Sequence, residues 1–534
     1  MTDIVAPLFI TTVKEALPQI TGAVRQGADM IELRCDQASS AVIQEILQHP
    51  VARRKPVILT IRSRAEGGLF RGSEADRLTL ILHVCRWKPD YVDIEYAAWR
   101  ANPRFVREIV PLLAQAGEGA SDKPKLILST HNFLARPANL RARLLAMARI
   151  KSARIIKAAY QAKNLVDALE ALRLYKELPA RISQPLVIIA MGDCGLATRL
   201  LAGKYNAAFT FGIPAGGHST APGQPTIADL IGIYRLRQQR PAWPVFGIVG
   251  SPVAHSISPM IHNAGFQAVD FPGIYVPLPI EPKYEAFRQA VEAMRRWPGF
   301  NLRGLSVTIP HKANALRYVR SQGGTMDATS ERIGAINTLN FSADGQVAGM
   351  NSDWYGALQA LCSGNTSKMV RLAHKRVAVL GAGGVARAIV AALATLGATT
   401  VIYNRTVRKA RELAAEFDGK IGHLSAANLR DFDIEKAGCH ILINCTSMGM
   451  TPDVDRMPIA DSTVIPHGLT VFDTVYNPRR TKLLDFARAG GATVIEGVDM
   501  LIWQAVVQFQ GFTGKPAPIK VMRAAANRAL RTKT

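Results

Sequence analysis

The first half of the chain alternates short apolar runs with longer amphipathic segments. Between residues 5 and 213, runs rich in β-branched and aliphatic residues recur eight times, separated by segments such as "NLRARLLAMARIK" and "NLVDALEALRLYKEL". The apolar residues of these segments repeat every three to four positions, which indicates helices. Strand and helix alternating eight times predict a (β/α)8 barrel. The predicted strands are "VAPLFITT", "DMIELRCD", "PVILTIRS", "DYVDIEY", "KLILSTHNF", "RIIKAAY", "LVIIAMGD" and "AAFTFGI".

The pattern changes near "RQQRPAWPVFGIVG", where the proline-flanked Trp243 indicates a linker at residues 238–244. Further along, "RVAVLGAGGVARAIVAALATLGATTVIYNRT" reads as strand, glycine-rich turn, helix and second strand. In this context Gly381, Gly383 and Ala386 match the G-x-G-x-x-G/A fingerprint of dinucleotide-binding domains. The second half is therefore predicted to contain a Rossmann domain.

Composition sets the broad class. The chain has 534 residues, of which 48% are hydrophobic and 20% charged, so it is a globular protein of about two to four domains. Lysine and arginine number 65 against 41 acidic residues, a formal charge of +24. Because the excess is spread over both halves rather than gathered in an arm, it favours attraction of small anionic substrates, with DNA binding as the alternative.

The N-terminus and the cysteines add further expectations. The start "MTDIVAPLFITT" lacks the basic region of a signal peptide and the Arg/Ser-rich stretch of a transit peptide, so we expect a cytoplasmic protein. No stretch requires a transmembrane span. The six cysteines show no CxxC pair and no histidines at zinc-finger spacing, which favours reduced thiols and no metal.

Polar residues occur at the ends of the predicted barrel strands, where the catalytic mouth of such a barrel lies. Each one alone could be a salt bridge or a satisfied core polar group. Their convergence from several strands on one mouth favours an active site. These residues are Glu32, Arg34, Arg62, Glu95, His131, Lys157 and Arg199.

The chemistry of these residue types points to a Schiff-base enzyme. Burial in the strand "RIIKAAY" disfavours a charged lysine, so Lys157 could offer a neutral amine to a ketone. His131, one strand earlier, can transfer a proton near neutral pH. Glu95 could orient that imidazole, and Arg199 offers a bidentate site for a carboxylate.

Residues 1 to about 235 resemble type I 3-dehydroquinate dehydratase. The resemblance rests on these residues and on the motifs "ELRCD", "IRSRAEGG", "DIE", "STHNF", "IIKAA", "MGDCGLATR" and "STAPGQ". The resemblance implies that Lys157 forms an imine with the C3 ketone. It further implies that His131 takes the C2 proton and helps the C1 hydroxyl to leave, with Glu95 supporting His131. Thr220 stands where the family often has serine. The implied substrate-binding residues are Glu32, Arg34, Arg62, Arg199, Thr220 and Gln224.

The end of the second Rossmann strand bears on the choice of cofactor. The strand ends in "YNRT", without the acidic residue that binds ribose hydroxyls in NAD enzymes. Arg405 stands in its place and suits a 2′-phosphate, and Lys409 could add to the same positive cluster. The alternative is that Arg405 is an ordinary surface arginine.

Segments upstream of the fingerprint carry further polar residues. "SPVAHSISPMIHN" places Ser256 and Ser258 two positions apart, and "LSVTIPHK" places Lys312 just past a proline, at a strand end or turn. "GAINTLN" and "GMNSDWYG" supply Asn337 and Asp353. Taken singly, none of these is specific.

The chain from about Pro244 to Ala526 resembles shikimate dehydrogenase. The resemblance rests on the order of the segments just described and on the motifs "NCTSMGM", "DTVYNP" and "EGVDMLIWQA" that follow them. The resemblance implies that Lys312 and Asp353 form a catalytic pair that moves a proton while hydride passes at C3. Ser306 stands where many bacterial members have asparagine. The implied substrate-binding residues are Ser256, Ser258, Thr308, Asn337, Asp353, Tyr476 and Gln504; NADP would be bound by Gly381, Gly383, Gly384, Asn404, Arg405, Thr406 and Lys409, with Met448 and Gly497 at its nicotinamide end.

The two resemblances support each other, because 3-dehydroshikimate is the product of one reaction and the substrate of the other. They imply a bifunctional, NADP-dependent shikimate-pathway enzyme without metal, acting on small molecules and binding neither nucleic acid nor membrane. The alternatives are catabolic quinate or shikimate oxidation with NAD, and a non-catalytic ligand sensor. The expected domains are residues 1–238 for the barrel, 244–350 completed by about 503–534 for substrate binding, and 351–502 for the dinucleotide.

Overall fold

A computed structural model of the protein describes residues 1–114, 122–217, 223–254, 256–363, 372, 374–417 and 423–531. Within these residues the strands assemble into an eight-stranded sheet and two six-stranded sheets. No helix in the described ranges is long and apolar enough to cross a membrane.

The N-terminal sheet is parallel throughout and curls into the predicted barrel. Its strand order is β7-β6-β5-β4-β3-β2-β1-β8, and the N–H of Ala208 donates to the carbonyl of Leu186 where the two ends meet. The strands are short and buried on both faces, as a sheet covered by helices requires. They are β1 Asp3–Phe9, β2 Met30–Arg34, β3 Val57–Thr60, β4 Tyr91–Glu95, β5 Lys125–Asn132, β6 Ala153–Gln161, β7 Leu186–Met191 and β8 Phe209–Phe211.

Helices cover the outside of the barrel. The helix predicted from "NLVDALEALRLYKEL" begins after Asn164, whose side chain accepts from the N–H of Asp167, a cap that satisfies a terminal donor. Its leucines at 169 and 172 are fully buried against the sheet. The helices are α1 Val13–Arg25, α2 Ser40–Gln48, α3 Glu74–Cys85, α4 Tyr96–Ala101, α5 Pro103–Ile109, α6 Leu140–Ala148, α7 Leu165–Glu177 and α8 Leu196–Leu200.

A mixed sheet follows the linker. Its order is β10-β9-β11-β13-β14-β12, and β11 has a bulge between Leu302 and Gly304, where two of its residues oppose one step of β9. Such a bulge re-aims the extra side chain, here that of Arg303. The elements are β9 Val245–Gly250, α9 Ser258–Ala268, β10 Ile274–Pro279, α10 Tyr284–Arg295, β11 Leu302–Val307, α11 Lys312–Ser321, β12 Thr325–Met326, α12 Ala328–Ile333, β13 Thr338–Phe341 and β14 Val347–Met350.

The third sheet is parallel and has the doubly wound arrangement. Its order is β17-β16-β15-β18-β19-β20, so the connections reverse direction between β15 and β18, the place where such sheets bind dinucleotides. The α/β fold class predicted for both halves is confirmed. The elements are α13 Asp353–Ser363, β15 Arg376–Leu380, α14 Gly384–Thr395, β16 Thr399–Asn404, α15 Val407–Phe417, β17 Leu424–Asn428, α16 Ile434–Ala437, β18 Ile441–Asn444, β19 Thr470–Asp473, α17 Lys482–Ala489 and β20 Thr493–Ile495.

The last two helices, α18 Gly497–Thr513 and α19 Ile519–Arg531, return to the mixed sheet. Phe509 of α18 and Met522 of α19 share one hydrophobic cluster with Phe246 of β9 and Phe266 of α9. All four side chains are almost fully buried. The chain therefore leaves the mixed sheet for the dinucleotide sheet and ends packed on the mixed sheet again.

The barrel and the mixed sheet are in direct contact. The rings of Tyr205 and Trp297 stack with centroids 5.7 Å apart, and the Tyr205 hydroxyl donates to the carbonyl of Gly299. The buried Lys204 ammonium donates to the carbonyls of Pro241 and Trp243 in the linker, at 2.7 and 2.6 Å. The linker is thereby tied to the barrel surface.

We expect Phe509→Ala to lower the free energy of unfolding by about 3–5 kcal/mol, because it leaves a cavity in the cluster that joins α18 to β9. The measurement is the denaturant midpoint of the full chain. Val521→Ala, at a side chain that is 39% exposed on α19, is the control and should change stability by less than about 0.5 kcal/mol. Equal shifts in the two variants would contradict the packing role of Phe509.

Candidate functional site

Lys157 lies on β6 inside the barrel with its side chain 5% exposed. Its ammonium Nζ is 2.8 Å from Asp93 Oδ2 and 3.7 Å from Glu32 Oε1, and lies 4.9 Å from the centroid of the Phe211 ring. Burial alone was the basis of the sequence argument for a neutral amine. The structure adds a partner to that argument, because the buried carboxylate of Asp93 on β4, two strands away in the sheet, pairs with the amine.

Asp93 is the centre of a buried charge network. Its Oδ1 is 3.0 Å from Arg62 Nη1 and accepts from the Ser129 hydroxyl at 2.6 Å. Burial would raise the pKa of Asp93, but the adjacent Arg62 and Lys157 cations hold this pKa below its usual range. Asp93 therefore remains an anion that fixes the positions of both cations.

The predicted contact between Glu95 and His131 is wrong. Glu95 Oε1 is 3.2 Å from Arg62 Nη1 and accepts from the Ser63 N–H, and Glu95 Oε2 is 2.9 Å from Arg77 Nη1. Two arginines thus occupy this carboxylate, and it does not line the cavity that contains Lys157.

Glu66, at the end of the short 3-10 helix that follows β3, takes the place predicted for Glu95. Its Oε2 lies 2.8 Å from His131 Nδ1 and also accepts from the His131 backbone N–H at 2.8 Å. The ring is held by both contacts, so Nε2 is the nitrogen left to act on a ligand. The sequence contained a signal for Glu66 in "IRSRAEGG", four residues after Arg62, but no periodicity marks a turn residue as facing the cavity.

The ionisation of this pair is set by its surroundings. Burial, followed by the Arg62 and Lys157 cations, lowers the pKa of His131 well below 6.5. Burial raises the pKa of Glu66 to about 7. At neutral pH the imidazole is therefore neutral and able to accept a proton, and Glu66 can change protonation state in the same range.

Arg199 lies in the same cavity, 2% exposed, and its Nε and Nη1 have no hydrogen-bond partner among the described residues. Desolvation lowers its pKa to about 10. A buried guanidinium with unpaired donors is costly unless a ligand supplies an acceptor, and a carboxylate matches its geometry.

The other predicted barrel residues also surround this cavity, with one outside the described ranges. Glu32 accepts from the Thr60 hydroxyl at 2.8 Å, and Arg34 pairs with Asp36 at 2.8 Å. Thr220 lies outside the described residues. The structure places Glu32, Arg34, Arg62, Glu66, His131, Lys157, Arg199 and Gln224 around one cavity.

A second site lies between the mixed sheet and α13. Lys312, at the start of α11, forms an ion pair with Asp353, at the start of α13, and both side chains are largely buried. The Asp353 N–H donates to Asn351 Oδ1 at 2.9 Å, which fixes the start of that helix. The structure thus brings together two residues 41 positions apart, as the prediction of a catalytic pair requires.

Asn337 and Gln504 lie beside this pair. Asn337 Oδ1 accepts from the Ser352 N–H at 2.8 Å and from the Ser352 hydroxyl at 3.2 Å. The same hydroxyl is 3.4 Å from Gln504 Oε1 on α18. Asn337 Oδ1 therefore already accepts hydrogen bonds from the protein, and the Ser352 hydroxyl links Asn337 to Gln504.

The remaining predicted substrate residues come from loops and a strand end. Ser256 Oγ accepts from the Ser258 N–H at 3.2 Å, and Ser258 begins α9. Thr308 directly follows β11, where its N–H donates to the carbonyl of Val249. Tyr476 is half-buried against the cluster formed by α9, α18 and β9.

Gln508 is a residue that sequence reasoning missed. It lies one turn after Gln504 on α18, and its Oε1 accepts from the Ser306 hydroxyl at 2.7 Å. Its Nε2 donates to Thr338 Oγ1 at 3.1 Å. Ser306 is thus paired with a residue 202 positions away, a separation that leaves no local signal.

The glycine-rich turn after β15 fits a dinucleotide. Gly381 has φ +110°, in the left-handed region, and a Cβ there would lie 3.0 Å from the carbonyl oxygen of Cys445. A Cβ at Gly383 or Gly384 would meet nothing within 4 Å, so open space lies above the first turn of α14. A pyrophosphate can approach the backbone N–H groups of this helix terminus.

The other predicted cofactor residues flank this turn. Arg405, Thr406 and Lys409 are exposed at the end of β16 and the start of α15, and Asn404 Nδ2 donates to the Thr406 carbonyl at 3.0 Å. Both cations therefore stand at the end of the second strand of the dinucleotide fold, which is the position predicted for a contact with a 2′-phosphate. On the other side, Met448 follows β18 and is half-buried, and Gly497 is buried at the start of α18.

The remaining reactive groups to consider are possible metal ligands and the cysteine thiols. In the described part of the chain, no three His, Cys, Asp or Glu side chains are grouped to hold a metal ion. All six cysteines are free thiols.

Comparisons with known proteins find similarity in both halves of the chain. Family models match as follows: Type I 3-dehydroquinase at residues 4–241, shikimate dehydrogenase substrate binding domain at 248–339, shikimate/quinate 5-dehydrogenase at 365–461 and shikimate 5'-dehydrogenase C-terminal domain at 497–526.

Curated relatives cover either the whole chain or its second half. Shikimate dehydrogenases (NADP(+)) of Carboxydothermus hydrogenoformans and Methanothermobacter thermautotrophicus are 38% and 39% identical, covering 52% and 54% of this chain and 95% and 96% of those proteins. The chloroplastic bifunctional 3-dehydroquinate dehydratase/shikimate dehydrogenase of Arabidopsis thaliana is 34% identical over 529 residues, 96% of this chain and 82% of that protein. The chain belongs to the family of bifunctional 3-dehydroquinate dehydratase/shikimate dehydrogenases.

Proposed function

We propose that the chain converts 3-dehydroquinate to 3-dehydroshikimate in its barrel and reduces 3-dehydroshikimate to shikimate, with NADPH, in its second half. The family supports both activities. The observation that carries the proposal is the cavity in which a buried amine, a Glu66–His131 pair and a guanidinium with unpaired donors face one another. A keto acid supplies an electrophile for the amine and an anion for the guanidinium.

In the barrel, Arg199 binds the substrate carboxylate. The Lys157 ammonium gives a proton to His131 Nε2 and attacks the C3 ketone as a neutral amine, and that proton leaves with the ketone oxygen. The new C–N bond becomes an imine as the ketone oxygen leaves as water. His131 Nε2 then removes the C2 proton, and the electron pair moves toward the imine. The C1–O bond breaks, and the C1 hydroxyl leaves as water with a proton from His131. Hydrolysis of the imine returns the Lys157 amine and releases the enone.

Glu66 and Asp93 are proposed as positioning residues for these steps. Glu66 holds the imidazole through Nδ1 and stabilises it when Nε2 carries a proton. Asp93 holds Nζ at 2.8 Å between turnovers and keeps the surrounding cations compensated. Glu95 acts less directly than Glu66, because it fixes Arg62 and Arg77 rather than the imidazole.

In the second half, Lys312 Nζ donates a proton to the C3 oxygen of 3-dehydroshikimate, and Asp353 stabilises the ammonium between turnovers. NADPH, when bound, supplies the hydride. Asn337 can offer its Nδ2 to a substrate hydroxyl, because its Oδ1 is already taken by Ser352. Ser256, Ser258, Thr308, Tyr476 and Gln504 complete the proposed substrate site.

NADP is the cofactor named for the Carboxydothermus and Methanothermobacter relatives and is the one that this chain's residues suit. Gly381, Gly383 and Gly384 would hold the pyrophosphate at the start of α14. Arg405, with Lys409 nearby, would bind the 2′-phosphate, and Asn404 and Thr406 shape the same loop. Met448 and Gly497 would lie at the nicotinamide end.

The domain division at residues 1–238, 244–350 with 503–534, and 351–502 stays a proposal, supported by the return of α18 and α19 to the mixed sheet. Small-molecule substrates are consistent with the family. A cytoplasmic location and the lack of nucleic-acid and membrane partners also stay predictions. NAD-linked catabolism and ligand sensing are the alternatives that the assays below separate.

We expect NADPH absorbance to fall after 3-dehydroquinate alone is added to the chain, since one protein supplies both steps. Lys157→Met should abolish this fall, because the variant lacks the amine of the barrel site. The variant should still oxidise NADPH when 3-dehydroshikimate is added, because the second site is unchanged. Borohydride with substrate should add a covalent mass to the wild type alone. An adduct on the variant would contradict the imine role, and no NADPH loss with either substrate would favour the sensor.

We expect kcat/KM of the dehydratase to fall below about pH 7, because the Glu66 pKa of about 7 means that acid protonates the carboxylate that holds His131 Nδ1. Glu66→Gln should lower the rate by about 100-fold and remove this acid limb, since an amide does not titrate. The pH profile of enone formation measures both. Glu108→Gln, at an exposed carboxylate, is the control; persistence of the limb in Glu66→Gln would refute the assignment.

We expect Arg405→Ser to lower the ratio of kcat/KM for NADP to that for NAD by about 10–100-fold, because a charge-assisted contact to the 2′-phosphate is lost. Steady-state oxidation of shikimate with each cofactor measures the ratio. Arg408→Ser, three residues further along on α15 and paired with Glu412, is the matched control. An unchanged ratio, or a wild type that prefers NAD, would show that Arg405 does not read the phosphate.

A further inference from the structure

Two buried polar residues end neighbouring strands at the edge of the third sheet that carries the glycine-rich turn. Asn444 is the last residue of β18 and Asp473 the last of β19, and the two are register partners in this parallel pair. On its other side Asn444 pairs with Leu380, the last residue of β15, which directly precedes Gly381. Ligands of open α/β sheets bind beyond the carboxyl ends of the strands, so both residues lie at the base of the proposed cofactor site.

The Asp473 carboxylate is fully buried and accepts three hydrogen bonds. Oδ1 accepts from Asn444 Nδ2 at 2.9 Å and from the Val475 N–H at 3.0 Å, and Oδ2 accepts from the Thr481 hydroxyl at 2.6 Å. Burial raises the pKa of Asp473 to about 6, although the hydrogen bonds oppose this rise. At neutral pH the group is therefore mainly an anion, and an anionic carboxylate can only accept hydrogen bonds.

The Asn444 side chain connects Asp473 to the loop that follows β18. Because the carboxylate accepts from Nδ2, the amide has to turn Oδ1 toward that loop, where Oδ1 accepts from the Thr446 N–H at 2.9 Å and from the Thr446 hydroxyl at 2.7 Å. The Thr446 hydroxyl, with its proton given to Asn444, accepts in turn from the Met448 N–H at 3.2 Å. Asp473 thus fixes the backbone of Met448 through two side chains.

The same carboxylate holds the loop that follows β19. Its hydrogen bond with the Val475 N–H fixes the direction in which the chain leaves the strand. The Val475 carbonyl packs so closely on Gly497 that a Cβ there would lie 2.4 Å from the carbonyl oxygen. Tyr476 is the next residue of this loop. The segments that contain Met448, Tyr476 and Gly497 are therefore all tied to one buried anion.

We propose that Asp473 is a positioning residue for the nicotinamide end of the NADP site, acting through the loops that follow β18 and β19. The inference rests on the proposed function, which puts Met448 and Gly497 at that end. Asp473 itself contacts neither cofactor nor substrate. Its effect comes from the placement of the loops, since a displacement of reacting groups by about 1 Å can cost about 100-fold in rate.

The other end of the cofactor site should not depend on Asp473. Arg405 and Lys409 follow β16, which lies on the opposite side of β15 from β18 and β19. A ligand that has the 2′-phosphate but lacks nicotinamide should therefore bind equally well whether or not the two loops are held. This asymmetry separates positioning from a general loss of stability.

The test compares two ligands of the full chain by isothermal titration calorimetry: NADPH, and adenosine 2′,5′-bisphosphate, which has no nicotinamide. Thr446→Val removes the hydroxyl that joins Asn444 to Met448. We expect it to weaken NADPH binding by about three- to tenfold, as one lost hydrogen bond does, and to leave the bisphosphate within about twofold of the wild type. Thr395→Val, whose hydroxyl bonds the Ala391 carbonyl within α14, is the matched control and should change neither affinity.

Variants of Asp473 should show a graded effect. Asp473→Leu removes every acceptor and should weaken NADPH binding by at least about tenfold. Asp473→Asn keeps Oδ1 as an acceptor, so its affinity should lie between those of Asp473→Leu and the wild type. Should Asp473→Leu lose the bisphosphate as well, its dinucleotide domain is unfolded, and Thr446→Val decides the question.

A kinetic measurement checks the same loops during turnover. In Thr446→Val and Asp473→Asn, kcat for reduction of 3-dehydroshikimate should fall by about 10–100-fold. The primary isotope effect with NADPH deuterated at the transferred position should rise, because hydride transfer then becomes slower than product release. Dehydratase activity of the barrel should stay that of the wild type.

Two results would overturn the proposal. Equal weakening of NADPH and the bisphosphate in Thr446→Val would show that the network stabilises the domain as a whole. An unchanged NADPH affinity together with an unchanged isotope effect would show that the loops do not position the nicotinamide. A wild type that fails to reduce 3-dehydroshikimate would refute the proposed function instead, and the two-ligand comparison would still decide the role of Asp473, since it needs no turnover.

Discussion

Buried positive charge is the constraint on which the barrel depends. Arg62, Lys157 and Arg199 are each less than 5% exposed, and three uncompensated cations in one cavity would unfold a domain of marginal stability. The carboxylates of Asp93 and Glu95, both on β4, compensate the first two. The third has no counterion among the residues that the structure describes, so the barrel closes around a place for an anion.

Much of the architecture was predictable because it depends on local periodicity. The strand quoted as "RIIKAAY" lies within β6, and the glycine-rich turn after "RVAVL" joins β15 to α14 as its spacing indicates. Strand alternation also contains the information that Asp93 and Glu95 share a face. The sequence argument used only the second of these carboxylates and so missed the partner of Lys157.

Contacts across long separations were not predictable in the same way. Glu66 ends the 3-10 helix Arg64–Glu66, whose three residues are too few for a periodic pattern to indicate the direction of a side chain, and its contact with His131 spans 65 positions. Ser306 and Gln508 belong to elements that meet only after the chain has completed the dinucleotide sheet. Resemblance supplied the catalytic residues in both halves, but it could not distinguish the carboxylate that holds His131 from one that holds arginines.

The hydrogen bonds from Lys204 to the linker carbonyls change how the two enzymes of this chain are joined. A chain of the same length left in water would behave as a tether, and its two enzymes would reorient independently. Here the Tyr205–Trp297 stack and the buried ammonium join the barrel to its neighbour as one tumbling body. Product leaving the barrel therefore starts its diffusive search from a fixed geometry relative to the second enzyme, set by packing rather than by linker statistics.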